Sequence, residues 1–321
     1  MAFDADLVAD RRRLRRKLTF WRVAAFLVLI GAVAAGAFVW RGRAGFGGPA
    51  QHVARISVSG LITGDQRTTD LLKRVARADS VRGVVLSINS PGGTTSGSEE
   101  LFRGIRELAA KKPTVAFVDG VAASGAYITA MAADRIVARE TALVGSIGVL
   151  FQYPDFSGAL GKVGVAVEQV KSAPLKAEPS GFKPTTPEAR AALQSVVNDT
   201  FDWFKALVTD RRGIKGEQLA TVSDGRVFSA RQGLPLRLVD QLGSERDAVA
   251  WLERERKVPT DLPVRDWKPR GPSAFSLWSL AASVAHLVGL EDVASALRSG
   301  ALQTAKLDGL LAVWQPSAAD K

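Results

Sequence analysis

The sequence predicts an α/β protein, a mostly parallel β-sheet covered by helices. Two observations carry this. Short apolar runs alternate with helical patterns through the middle of the 321-residue chain, the signature of β-α-β units. The runs are also continuous, as in "VRGVVLSIN", rather than alternating with polar residues, which strands need when both faces are buried.

In chain order, residues 1–22 are a basic segment ending in "RRRLRRKLTFWR". Val23 to Trp40 follows, 18 residues without a charge and flanked by Trp21 and Trp40. That length can just cross a bilayer, and tryptophans favour its interfaces. The basic cluster on its N-terminal side predicts a cytoplasmic N-terminus and an extracytoplasmic, periplasmic-side remainder at the inner (cell) membrane. "AVA" and "AGA" resemble cleavage sites, but the apolar core and basic region are long for a signal peptide, so an uncleaved anchor is expected. Residues 41–51 read as a Gly-rich linker.

The main domain spans 52–270. "VARISVSG", "VRGVVLSIN", "PTVAFVDG" and "DRIVA" read as strands, and "GVAVEQV" as a further one. "SGSEELFRGIRELAAKK" reads as a helix capped by Ser96 or Ser98, and "SGAYITAMAA" as a short helix. From Thr186, "TPEARAALQSVVNDTFDWFKALVTDRR" has a Thr-Pro start, an early acid and terminal arginines, matching helix-end electrostatics. "SERDAVAWLERERK" is another helix with a serine N-cap. Residues 271–321 are expected to be a helical extension. Its stretch Gly271–Leu290 lacks Asp, Glu, Lys and Arg, and a packed or oligomer-contact helix is preferred there over a membrane-associated one.

Composition removes several chemistries. With no cysteine there is no disulfide, thiol nucleophile or cysteine-metal site, and no metal or other cofactor is expected. The net charge of +11 does not signal nucleic acid, because residues 1–45 alone carry nine Lys/Arg against three Asp, and no basic patch is interleaved with aromatics. The two histidines, His52 and His286, lie far along the chain from any candidate serine. A Ser-His-Asp triad is therefore not expected, and lysine is the usual substitute base.

Three stretches can contribute to one site. In "VDGVAASGAYITAMAADRIVA", Ser124 sits between a strand and a helix, with Ala122, Ala123, Gly125 and Ala126 leaving room for a substrate backbone. The plain alternative is a helix N-cap. In "INSPGGTTSGS", Gly92 and Gly93 can turn a backbone N–H toward a ligand, or form an ordinary Pro-Gly turn. "VKSAPLKAEPSGFKP" offers Lys171, Lys176 and Lys183, any of which is a base only when burial keeps it neutral.

"SINSPGG", "DGVAASGAYITAMAADRIVA", "TALVGSIGV" and the lysine loop, in this order from about Val53 to Asp247, resemble the signal peptide peptidase A family of Ser/Lys membrane proteases, short form. The resemblance implies a Clp protease/crotonase-like fold, with 52–270 as the protease domain. It implies Ser124 as nucleophile, Lys176 as general base and Ser146 as the residue orienting the lysine. The "SPGG" glycines, Gly92 and Gly93, would form the oxyanion turn, Gly93 with the Ser124 N–H as the second donor, and Gly125 would be a further oxyanion or positioning residue. It further implies a homo-oligomer, typically an octamer, with sites shared between subunits. Substrates would be signal-peptide remnants and other apolar unfolded peptides, cut near membrane lipid. Alternatives are a related Ser/Lys protease in membrane quality control or capsid processing, and a non-proteolytic crotonase-fold protein. Two departures stand out: Leu175 where an aromatic often precedes the lysine, and Arg237 where the family usually has glycine.

Overall fold

The computed structural model describes residues 17, 20–25, 27–33, 35–36, 50–269 and 311–313. Residues 1–50 and 51–321 form two separate units. In the first, the described residues from 20 to 36 are helical, and Leu27, Val28, Leu29, Ile30 and Val33 are exposed. Among the described residues no helix is long and apolar enough to cross a membrane. The anchor expected over 23–40 falls partly outside the described residues, as does nearly all of the extension expected over 271–321.

The second unit is built on strands β1 (His52–Ile62), β2 (Val81–Thr94), β3 (Thr114–Ala123), β4 (Arg135–Ala138), β5 (Leu143–Gly145), β6 (Val227–Ser229), β7 (Gln241–Leu242), β8 (Val264–Trp267) and β9 (Leu311–Val313). Its helices are α1 (Gln66–Arg77), α2 (Thr95–Ala109), α3 (Gly125–Met131), α4 (Ser157–Lys162), α5 (Pro187–Arg212), α6 (Gly216–Val222), α7 (Ala230–Gly233) and α8 (Glu245–Arg256). The sheet order is β6-β5-β3-β2-β1-β8, with β4 joining β3 to β7. Pairing is parallel except for β5 with β6 and β2 with β9.

Side-chain alternation explains the continuous apolar runs. On β2, Val84, Leu86 and Ile88 point into a core formed with Leu71, Leu72 and Val75 of α1, Ile105 and Leu108 of α2, and Phe204 and Val208 of α5. Val85 points the other way, with Val53, Val115, Phe117 and Val137, against Ala248, Trp251 and Leu252 of α8. Over these stretches β2 and β3 are buried on both faces, so their runs are mostly apolar. A large side chain buried in this way stabilises the fold by about 1.5–3 kcal/mol.

The ends of the long helices follow their sequence signals. The Thr186 side chain accepts from Ala189 N at 3.2 Å and Pro187 opens α5, which stops at Gly213 in the left-handed region, φ 64°. Ser244 and Asp247 form a capping box at α8. Two expectations are corrected. The cap of α2 is Thr94, whose Oγ1 accepts from Gly97 N at 3.0 Å, so Ser96 and Ser98 lie inside the helix. The reason is that β2 runs on through the glycine turn to Thr94 and the helix begins at the next residue. "GVAVEQV", residues 164–170, is not a strand: Val165 and Val170 are exposed and no strand pairs with them among the described residues. Apolar alternation becomes a strand only where an edge is available to complete its hydrogen bonds.

Candidate active site

The carboxyl ends of β2, β3 and β5 lie side by side. Ser90 on β2 is opposite Ala122 on β3, and Ala123 is opposite Gly145 on β5. Ligands of open parallel sheets characteristically bind at this edge.

Ser124 is the one residue between β3 and α3, and its backbone is at φ 54°, ψ −119°. A non-glycine residue held there stores on the order of 1–3 kcal/mol of strain. Its surroundings enforce the turn. Ser124 N donates to Gly145 O at 2.8 Å, and Ser124 O accepts from Tyr127 N at 2.9 Å and Ile128 N at 3.1 Å. Ala122, Ala123, Gly125 and Ala126 are buried around it. The Ser124 side chain makes no capping bond, unlike Thr94 and Thr186. The N-cap alternative is thereby set aside. The turn is a strand-to-helix elbow without the G-x-S-x-G spelling.

The Ser124 N–H was expected to hold an oxyanion, and the structure corrects this. That donor is spent on Gly145 O, because β5 keeps pairing with β3 one residue past Ala123. The next N–H, that of Gly125, has no partner among the described residues. Ser146 follows Gly145 on β5, as Ser124 follows Ala123 on β3, and adjacent strands lie about 4.8 Å apart. Ser146 has φ 50°, is 8% exposed, and donates its N–H to Arg226 O at 2.8 Å. The structure therefore brings Ser124, Gly125 and Ser146 together.

The "SPGG" turn completes the edge. A Cβ on Gly93 would fall 1.7 Å from Ile62 O, so no other residue fits there. Gly92 has φ 108°, and its N–H is spent on Ser90 Oγ at 3.1 Å. Ser90 is fully buried and donates to Gly60 O at 2.7 Å. Asn89 Oδ1 accepts from Val121 N at 3.2 Å, tying this turn to the strand that carries Ser124. Sequence reasoning passed over Ser90 and Asn89. The available signal was two hydrogen-bonding side chains closing an otherwise apolar strand.

The lysine loop is a separate construction. Tyr153 and Thr185 hydroxyls lie 2.9 Å apart and Phe156 N donates to Gly181 O at 2.8 Å, closing its base. Near its tip, Lys176 N donates to Ala173 O at 3.1 Å, Glu178 N to Leu175 O at 3.3 Å, and Ala177 adopts φ 60°. Lys171 is ion-paired with Glu178, and this hydrogen bond, above all, holds the Glu178 carboxyl below its usual range. Lys176 and Lys183 are exposed. Among the described residues no hydrogen bond joins Lys176 to Ser124 or Ser146. Within one chain, then, no hydrogen bond among the described residues joins the Ser124 edge to the lysine.

Behind the elbow, Tyr127 is wholly buried and donates to Leu238 O at 2.8 Å. Burial pushes its phenol well above the ordinary tyrosine range. Arg212 grips Asp240 with two bonds, of 2.7 and 3.1 Å, and donates to Arg237 O at 2.7 Å. Arg237 sits at φ 61°, which accounts for the glycine usual at that position.

Residues 106–259 match the model of peptidase family S49. A Methanocaldococcus jannaschii chain provisionally named a protease is 39% identical over 189 residues, 59% of this chain and 61% of its own. A Synechocystis sp. chain, also provisionally named a protease, is 34% identical over 203 residues, 63% of this chain and 73% of its own. An Enterococcus faecium chain provisionally named signal peptide peptidase SppA is 31% identical over 261 residues, covering 76% of this chain and 75% of its own. The chain belongs to peptidase family S49. Its S49 segment runs from α2 through α8 and so includes Ser124, Ser146 and the lysine loop, though not the "SPGG" turn. Serine endopeptidase is the enzyme class of this membership, in the short SppA form that the motifs implied.

Proposed function

We propose that the chain is a membrane-anchored endopeptidase working by a Ser/Lys dyad on signal-peptide remnants and other apolar, extended peptides. The observation that carries this reading is the strained, uncapped Ser124 at the carboxyl edge of a parallel sheet. Neutral Lys176 takes the Ser124 hydroxyl proton as Oγ attacks the peptide carbonyl. The N–H groups of Gly93 and Gly125 hold the oxyanion; losing one such donor costs about 100- to 1000-fold in rate. Lys176 returns the proton to the leaving amine, and water resolves the acyl-enzyme. Ser146 orients the lysine.

The exposure of Lys176 supports completion of the site by a neighbouring copy in a homo-oligomer. The same segment exposes Leu150, Phe156, Val163, Val165, Leu175 and Phe182, apolar surface that a second subunit would cover. Burial in that contact would also supply the apolar surroundings a neutral lysine needs. The exposed apolar side chains from Leu27 to Val33 support the membrane anchor, with the catalytic unit on the extracytoplasmic side.

Cleavage of a model signal peptide by the full chain tests this. Ser124→Ala and Lys176→Ala should each abolish cleavage without unfolding the protein, and Lys183→Ala should stay active. Retained activity in Lys176→Ala would assign the base elsewhere. Mixing inactive Ser124→Ala with inactive Lys176→Ala should restore part of the activity, since some contacts then pair an intact serine with an intact lysine. A fully active monomer would remove the shared site.

A further inference from the structure

We propose that Arg106 and Arg211 are positioning residues for Ser124, holding its helix in line with the oxyanion turn from the opposite end. The proposal rests on the proteolytic reading above. Ser124 immediately precedes α3, and all seven residues of that helix are buried. Arg106, in the last turn of α2, donates from Nη1 to Ala132 O at 2.8 Å. Arg211, in the last turn of α5, donates from Nε to Met131 O and from Nη2 to Ala133 O, both at 2.9 Å.

Three consecutive carbonyls at the end of α3 are therefore met by guanidinium groups from two other helices. A helix of seven residues does not hold its own direction, so its neighbours must. The Ser124 turn at its other end is strained, and such a turn relaxes once the helix behind it is free to swing. α2 begins at Thr95, two residues past Gly93, so the helix that Arg106 ties to α3 is the one that follows the oxyanion turn. Nucleophile and oxyanion donor thus sit at the starts of two helices whose far ends Arg106 joins. Capping alone does not call for this arrangement, because a neutral donor or water satisfies a helix-end carbonyl. Here two cations stand side by side. Burial first, and then the Arg106 charge, lower the Arg211 guanidinium from its ordinary value; Asp210 and Asp134 act the other way without cancelling this. A planar fork that bonds two carbonyls at once fixes direction as well as distance.

Variants of the full-length chain test this. The measurements are the melting temperature, kcat and KM on an added unstructured peptide well below melting, and inhibition by a peptide aldehyde. The aldehyde adduct needs both Ser124 Oγ and the oxyanion donors, so it reads their alignment. Arg211→Lys keeps the charge and the stem but cannot span Met131 O and Ala133 O. It should lower kcat by about 10- to 100-fold with KM unchanged, and raise the aldehyde Ki by a similar factor. Arg106→Met should do likewise. Arg106→Lys should recover most of the rate, because one ammonium still reaches Ala132 O. Should either Arg211→Lys or Arg106→Met fail to fold, the other decides. Folded variants that melt lower but keep kcat and the aldehyde Ki overturn the proposal and leave the arginines a role in stability only. Wild-type protein that neither cleaves the peptide nor labels at Ser124 with a fluorophosphonate overturns the proteolytic reading instead.

Discussion

Ser124 and Lys176 are held in opposite ways. The serine is 1% exposed, strained, and fastened by three backbone hydrogen bonds within a fully packed layer. The lysine stands exposed on a loop that closes on itself through Lys171 and Glu178. A strained serine needs the core behind it, since only dense packing and satisfied hydrogen bonds keep a backbone at φ 54°. The loop has no such backing within its own chain. On the proposed Ser/Lys reading, the strained half of the site is built into the sheet, while the lysine half is left for another surface to cover.

Substitutions at the two regions should separate stability from activity. The largest effect is expected at Gly93→Ala. Its Cβ would collide with Ile62 O, so β1 and β2 must part, costing about 4 kcal/mol or more. Thermal melting and peptide cleavage should fail together; a stable Gly93→Ala protein would show that the edge is looser than its packing implies.

On the loop, Glu178→Gln should do the reverse. The pair lies away from the core, so melting should shift by less than about 1 kcal/mol, while cleavage falls by about 10- to 100-fold as Lys176 loses its brace. The sign with pH is set by the depressed Glu178 carboxyl. Its contribution is full above the usual carboxylate range and is lost as pH falls through the lowered folded value. An acid limb of the rate profile that is the same in Glu178→Gln would show that the brace does not position the base.

The smallest effect is expected at Arg237→Gly, behind the elbow. Relief of the left-handed backbone should stabilise by about 0.5–1 kcal/mol, reduced by the lost 2.9 Å bond from Arg237 to Gln218, with cleavage unchanged. Destabilisation by chemical denaturation would mean that the Gln218 contact outweighs the strain.

Much of the second unit was legible from residue patterns. β1 to β4 lie where the apolar runs are, and the caps of α5 and α8 are the Thr-Pro and Ser-x-x-Asp signals. α1 was not singled out, although its buried Leu71, Leu72 and Val75 follow helical spacing. The strand expected over 164–170 failed because alternation says nothing about whether a partner edge is present. The partner of the Ser124 N–H was not legible for a similar reason: its acceptor is Gly145, twenty-one positions along the chain. Ser90 and Asn89 read as ordinary strand-end polar residues until their partners Gly60 and Val121 were known.

The sequence by itself determined the layered α/β class, the serine placed among small residues, and the scarcity of histidine that points to a lysine base. These are properties of composition and local order, where hydrophobic period and residue size act directly. The tertiary structure alone decided which N–H groups stay unspent, that Ser146 stands beside Ser124, that Lys176 faces outward, and that β9 takes the edge of β2. Each of those depends on which strand lies next to which, and backbone hydrogen bonds between distant segments leave no mark on the residues that make them.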